Sequence, residues 1–170
     1  TSGETRVVTH SSGVHERGRI DFDDLHWEDS YDKWGAYAQS KLANLLFAYE
    51  LDRRLEAADA SVLSTACHPG YAATNLQRRG PEQTGSRVRL AAMKAANAVL
   101  AQSAAEGALP RLYAATEDGI EGREYVGPGG FMNMRGRPEI QESNERSRDE
   151  ETAERLWTVS EEQTGIEYDL

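Results

Sequence analysis

Tyr37 and Lys41 stand four residues apart in the run Tyr37-Ala38-Gln39-Ser40-Lys41. On a helix that spacing puts both side chains on one face, one turn apart. A free tyrosine, with a pKa of about 10, is a poor base at neutral pH. An ammonium beside it favours the phenolate, and such a tyrosine can take a proton from an alcohol or give one to a carbonyl. The same spacing also describes an ordinary surface pair, so context has to decide. Ser11-Ser12 follows one β-branched run, Arg6-Val7-Val8-Thr9-His10, ahead of Tyr37. His68-Pro69-Gly70 ends a second run, Ser61 to Cys67, behind it, with Thr74 beyond. Parallel strands of one sheet deliver their C-terminal ends to the same edge, where ligands bind in open α/β folds. Ser12, Tyr37, Lys41, Pro69, Gly70 and Thr74 then share one crevice.

The elements that would position these residues are readable in outline. Tyr37 to Ala58 reads as a helix, with Ala38, Leu42, Leu45 and Tyr49 at helical spacing and Leu46 widening the stripe. With a strand on either side it forms the crossover unit of a parallel sheet. Residues 14–35 are polar and acidic, with Phe22, Trp27 and Trp34 among them, and read as a long ordered loop. Residues 75–89 read as a mobile segment. Residues 90–116 are alanine-rich and read as two helices. Ser103 and Glu106 form a capping box for the second, which Pro110 should perturb. Tyr125-Val126 reads as a short last strand before Gly127-Pro128-Gly129-Gly130. Ser147 with Glu150 reads as a further capping box, opening a final helix with Ala153, Leu156 and Trp157 inward and ending near Gly165.

Composition excludes several functions. The 170 residues are one domain by length, and a chain of this mass buries roughly 70% of its unfolded surface. The 29 acidic against 19 basic residues give a net charge of -10, which argues against nucleic acid and anionic membrane surfaces as partners. Lys33, Lys41 and Lys94 are the only lysines, a composition shared by salt-adapted (halophile) and ordinary acidic proteins. No apolar run is long enough for a membrane span. Thr1 is followed by neither a basic nor an apolar leader, so no signal peptide is expected. The lone Cys67 excludes a disulfide framework and reads as a packed thiol. His10, His15, His26 and His68 fall at no zinc spacing, and the acidic run from Asp21 to Asp32 lacks a calcium-loop pattern, so no metal is expected. Phe131, Met132 and Met134 read equally as pocket lining or core.

Three segments resemble motifs of the short-chain dehydrogenase/reductases. Residues 6–12 resemble that family's catalytic-serine strand. Tyr37-Ala38-Gln39-Ser40-Lys41-Leu42-Ala43-Asn44 is similar to its Y-x-x-S-K helix start. Cys67-His68-Pro69-Gly70-Tyr71-Ala72-Ala73-Thr74 is similar to its P-G-x-x-x-T motif. The long stretch between Ser12 and Tyr37, with Ile20-Asp21-Phe22-Asp23-Asp24-Leu25 in it, and the segment Ala153 to Ser160 resemble the retinol-dehydrogenase-like branch. The resemblance implies an α/β fold, the C-terminal half of a Rossmann-type doubly wound parallel sheet. It implies hydride transfer between NADP(H) or NAD(H), NADP(H) slightly favoured, and a small hydrophobic alcohol or carbonyl. It implies that Tyr37 is the acid/base, that Lys41 supports it and holds the nicotinamide ribose, and that Ser12 rather than Ser11 binds the substrate oxygen. Pro69, Gly70, the backbone at Tyr71, and Thr74 would hold the nicotinamide carboxamide and nearby phosphate. Residues 78–89, with Arg78, Arg79, Arg87 and Arg89, would form a lid over the substrate.

No G-x-x-x-G-x-G occurs, and the family's Asn-Asn-Ala-Gly segment is missing. The expectation is therefore that residues 1–170 are the C-terminal, catalytic part of one domain whose glycine-rich N-terminal half lies outside this chain. A complementing N-terminal segment or a homo-oligomer would complete it, and a cytoplasmic location is expected. A dinucleotide-binding sensor without turnover and an inactive fragment are the alternatives.

Overall fold

The computed structural model describes residues 5–71, 102–168 and 170. The expected strand, helix, strand unit is present. β1 (Thr5–His10) pairs in parallel with β2 (Val62–Cys67), in register from Thr5 opposite Val62 to His10 opposite Cys67. The helix between them, α1, spans Lys33–Ala57. β2 pairs in parallel with β3 (Tyr125–Pro128), and β3 pairs antiparallel with β4 (Pro138–Gln141), giving the sheet order β1-β2-β3-β4.

Helices cover both faces of this sheet. Successive strand residues point to opposite sides, and each side has its own apolar layer. Ala66 and Tyr125 meet Leu45, Ala48 and Tyr49 of α1. Their neighbours Cys67 and Val126 meet Ala114 of α2 (Ala104–Thr116) together with Ile120. α1 also has a second apolar side. Its Leu42 and Leu46 pack on Ala153 and Leu156 of α3 (Glu150–Thr164), with Ile20, Phe22 and Leu25 closing the layer. Burial on two sides explains why its stripe is wide.

Several expectations need correction. α1 begins at Lys33, not Tyr37, because the Asp32 side chain accepts the Gly35 N–H at 2.7 Å and caps the helix four residues earlier. The segment read as loop contains a 3-10 turn at Gly13–Arg17 that starts at Ser12. The last strand runs on through Gly127 to Pro128, and β4 had no counterpart in the sequence reading. The cap of α3 is Asp149, which accepts the Thr152 N–H at 2.8 Å. Ser147 Oγ instead donates to the Asn144 carbonyl at 2.6 Å and lies 2.6 Å from Ser143 Oγ. The Ser103–Glu106 capping box is present, and α2 continues through Pro110, whose ring is buried. Phe131 and Met132 belong to no core, being 66% and 69% exposed. The segment 75–89, the helix expected over 90–101 and Thr74 lie outside the described residues.

Candidate active site

The C-terminal edge of the sheet is tied together by main-chain hydrogen bonds. Ser11 donates its N–H to the Cys67 carbonyl at 2.7 Å, and His68 donates to the Val126 carbonyl at 2.9 Å. The ends of β1, β2 and β3 are thereby held side by side, as the shared crevice requires. Side chains then tie the end of β1 to α1. Buried Ser11 Oγ donates to the Lys41 carbonyl at 2.7 Å, and Asn44 Nδ2 donates to the His10 carbonyl at 2.9 Å. The sequence reading missed Asn44. Its signal was its place on α1, one turn beyond Lys41 on the side facing β1.

On the helical face set by these bonds, Lys41 Nζ lies 5.7 Å from the centre of the half-buried Tyr37 ring. That is cation–π range. The Trp34 ring meets the Tyr37 ring edge-on at 6.4 Å, and Trp34 is 64% exposed. Among the described residues, the Tyr37 hydroxyl and the Lys41 ammonium have no hydrogen bond or ion pair. The two serines differ in the same way. Ser11 is committed to Lys41, whereas Ser12 Oγ accepts only a long bond of 3.4 Å from the Val14 N–H.

The other predicted residues lie at the end of β2. Gly70 has φ of +64°, and a Cβ there would collide with the Met134 carbonyl oxygen. Only glycine fits both conditions. The Tyr71 N–H donates to that same carbonyl at 2.7 Å, and Gln102 Nε2 donates to the Pro69 carbonyl at 2.6 Å. Pro69-Gly70-Tyr71 is therefore braced by the Phe131–Met134 turn and by the approach to α2. The Tyr71 amide, expected to be a ligand donor, faces Met134 instead.

Histidines line the edge in neutral form. Burial, with the nearby charges of Arg111 and Lys41, lowers the pKa of His10 to about 4. Its Nδ1 lies 3.6 Å from Cys67 Sγ, and burial pushes that thiol up to about 11. Burial also lowers the pKa of His68. His68 Nδ1 accepts the Gly70 N–H at 3.2 Å, so Nε2 carries the proton and donates to Gln141 Oε1 at 2.9 Å. The His68 ring stacks on Tyr125 at 5.1 Å. A Cβ on Gly127 would collide with His68 Nε2, so this glycine admits the ring. Among the described residues, no group of three or more His, Cys, Asp or Glu is placed to hold a metal ion, and no helix is long and apolar enough to cross a membrane.

Comparison with known proteins gives a consistent picture. No family model matches the chain. Retinol dehydrogenase 14 of Mus musculus is 34% identical over 172 residues, covering 98% of this chain and 46% of its own length. Retinol dehydrogenase 13 of Homo sapiens is 35% identical over 170 residues, with coverages of 98% and 47%. The polyprenol dehydrogenase of Mus musculus is 35% identical over 153 residues, with coverages of 90% and 42%. The crystal structure of an uncharacterized protein from Mycobacterium paratuberculosis matches with a TM-score of 0.74 at 38% identity, over 98% of this chain and 52% of that one. The chain spans about half the length of the curated relatives it matches.

Proposed function

Because this chain is homologous to the C-terminal half of short-chain dehydrogenase/reductases of the retinol dehydrogenase type, we propose that it is the catalytic half of a nicotinamide-dependent oxidoreductase. In this reading residues 1–170 belong to one Rossmann-type domain, and a glycine-rich N-terminal half adds its strands beyond β1. The outer side of β1 suits that role, since it forms an edge of the described sheet and Val7 on it is 39% exposed. The reaction interconverts a hydrophobic alcohol and its carbonyl, with NADP(H) slightly favoured over NAD(H).

One observation carries the reading. At the ligand-binding edge of the sheet, Tyr37, Lys41 and Ser12 keep polar atoms available, while Ser11, Asn44 and His68 around them are committed to holding the frame. The donor set suits a nicotinamide riboside. Lys41 Nζ, 5.7 Å from the centre of the Tyr37 ring, offers three donors to the ribose hydroxyls. When bound, the nicotinamide ring supplies the hydride acceptor or donor. Ser12 Oγ donates to the substrate oxygen and orients it. The Tyr37 hydroxyl gives that oxygen a proton during carbonyl reduction and takes it back during alcohol oxidation. With the Tyr71 amide facing Met134, the grip on the carboxamide side rests on the Pro69-Gly70 bend and on Thr74.

The test is Tyr37→Phe in the complete protein, assayed by nicotinamide absorbance against a panel of apolar carbonyls. Turnover should fall by roughly 10²–10⁴-fold while NADPH still binds. Turnover unchanged by the substitution would remove Tyr37 from the chemistry. A protein that binds NADPH and turns over nothing on the panel is a sensor.

A further inference from the structure

His15 is a strong feature that neither the sequence reading nor the proposed reaction uses. It lies in the Gly13–Arg17 turn and is 2% exposed. Its Nδ1 lies 2.8 Å from the Ser12 carbonyl, and its Nε2 lies 3.4 Å from the Asn144 amide nitrogen. A carbonyl only accepts and an amide only donates, so these two backbone groups fix one tautomer: Nδ1 carries the hydrogen and Nε2 is bare. Asn144 binds back, donating from Nδ2 to the His15 carbonyl at 3.3 Å. Arg146 Nη2 donates to the Glu16 carbonyl at 2.5 Å. The turn that begins at Ser12 is thus fastened to residues 143–147, which are themselves tied to α1 by the Tyr49 hydroxyl bond to Ser143 Oγ at 2.9 Å.

We propose that His15 is the positioning residue for Ser12, holding the serine's backbone through Nδ1–H so that its hydroxyl faces the substrate oxygen. The proposal rests on the hydride-transfer reading of Ser12 given above. Its logic is one of stiffness. Ser12 Oγ has only the long bond from Val14 to orient it, so its direction follows its backbone; the Ser12 carbonyl accepts the His15 main-chain N–H at 3.0 Å, and the His15 ring adds a second, shorter bond to the same oxygen at 2.8 Å. Misplacement of a reacting group by about 1 Å can cost roughly 10²-fold in rate.

The same geometry makes the hold sensitive to acid. An imidazolium would present an N–H to the Asn144 N–H, and one contact would have to break. The groups facing the ring are the Tyr125 hydroxyl at 3.5 Å, Glu16 and Arg146 with their charges, and His68 across Tyr125. Burial outweighs the Ser12 bond and Glu16 and keeps the His15 pKa below its usual value.

Two isosteres separate positioning from packing. An asparagine amide nitrogen occupies the place of histidine Nδ1, and a glutamine terminus reaches the place of Nε2. His15→Asn keeps the bond to the Ser12 carbonyl, and His15→Gln keeps only the Asn144 side. In the complete protein, His15→Gln should lower kcat by roughly tenfold or more with KM little changed. His15→Asn should retain most of kcat. Equal loss in both variants overturns the proposal. A second readout needs no turnover. The Ser12 carbonyl ¹³C resonance of this chain should titrate with the His15 ring, stay near its place in His15→Asn and move in His15→Gln. A Ser12 carbonyl that ignores His15 overturns the proposal even if the enzyme is active. A carbonyl that follows it shows the hold on the Ser12 backbone even if Tyr37→Phe shows the hydride-transfer reading to be wrong, in which case only the role of that hold in turnover is overturned.

Discussion

Acidification should destabilise this chain through His10 before its carboxylates titrate. His10 ends β1 with its ring against Cys67, facing the charges of Lys41 and Arg111. Its pKa is about 4 in the folded chain against 6.5 unfolded. A lowered folded value means that the unfolded chain binds the proton more readily. The folded state therefore carries no penalty above about pH 6.5 and loses stability as pH falls from there toward 4. Taking 6.5 and 4 as the two values, the loss from this residue is about 2 kcal/mol at pH 5 and about 3 kcal/mol below pH 4. His15 and His68, both also lowered by burial, act in the same direction. The measurement is urea unfolding followed by tryptophan fluorescence at pH 7 and pH 5, for the parent chain and for His10→Gln. The parent should lose more between the two pH values than the variant does, by about 2 kcal/mol. The variant itself should be the less stable at pH 7 if its amide packs poorly, which leaves the difference of differences intact. Parallel losses in parent and variant would refute the argument, because they would mean that His10 is charged or solvated in the folded state. The site has a stake in the result: a cationic His10 would stand beside Lys41 and push its ammonium away from the Tyr37 ring.

Ser11→Ala should cost about 1 kcal/mol in urea unfolding, since it removes a buried bond to the Lys41 carbonyl. Ser12→Ala should leave stability within about 0.5 kcal/mol and lower kcat of the complete enzyme roughly 10²-fold. Gly70→Ala should destabilise by about 2 kcal/mol, from the left-handed backbone and the collision with Met134. It should also raise the NADPH dissociation constant, read by nicotinamide fluorescence, if the Pro69-Gly70 bend grips the cofactor.

The parts of the fold that were legible in the sequence are those whose determinants are local. β1 and β2 are β-branched runs. α1 carries its stripe in register over many turns, and both Leu42 and Leu45 are buried where that stripe puts them. Tyr37 and Lys41 were legible for the same reason, four residues on one helix being neighbours whatever surrounds them. What was missed depends on distant partners. β4 is only four residues long, with Glu139 and Ile140 exposed, so it shows no apolar face. It is specified by β3 and by Gln141, which reaches His68 and the Pro128 carbonyl. Ser147 and Asp149 both have capping chemistry, and the hydroxyl of Ser147 is drawn off by Ser143 and Asn144. His15 meets Tyr125 and Asn144 across more than a hundred residues of chain, a separation at which no spacing rule operates.

The way polar groups are divided at the sheet edge explains how an exposed site can still be precise. Every strand end passes a main-chain bond outward to the next: Ser11 to Cys67, His68 to Val126, and Gly129 to the Arg137 carbonyl. Side chains that need no role in chemistry then anchor the loops to this frame, Ser11 and Asn44 to α1, His68 to β4, and His15 to the segment before α3. Each anchor is buried or half-buried, where an unsatisfied polar group costs about 1–3 kcal/mol, so each geometry is strongly enforced. Tyr37 and Lys41 escape that requirement because they sit half-buried on the first turns of α1, where solvent or a ligand can satisfy them. Preorganisation here is the work of the neighbours. The residues proposed to touch the substrate keep their hydrogen-bonding capacity because others at the same edge have already spent theirs on holding the backbone still.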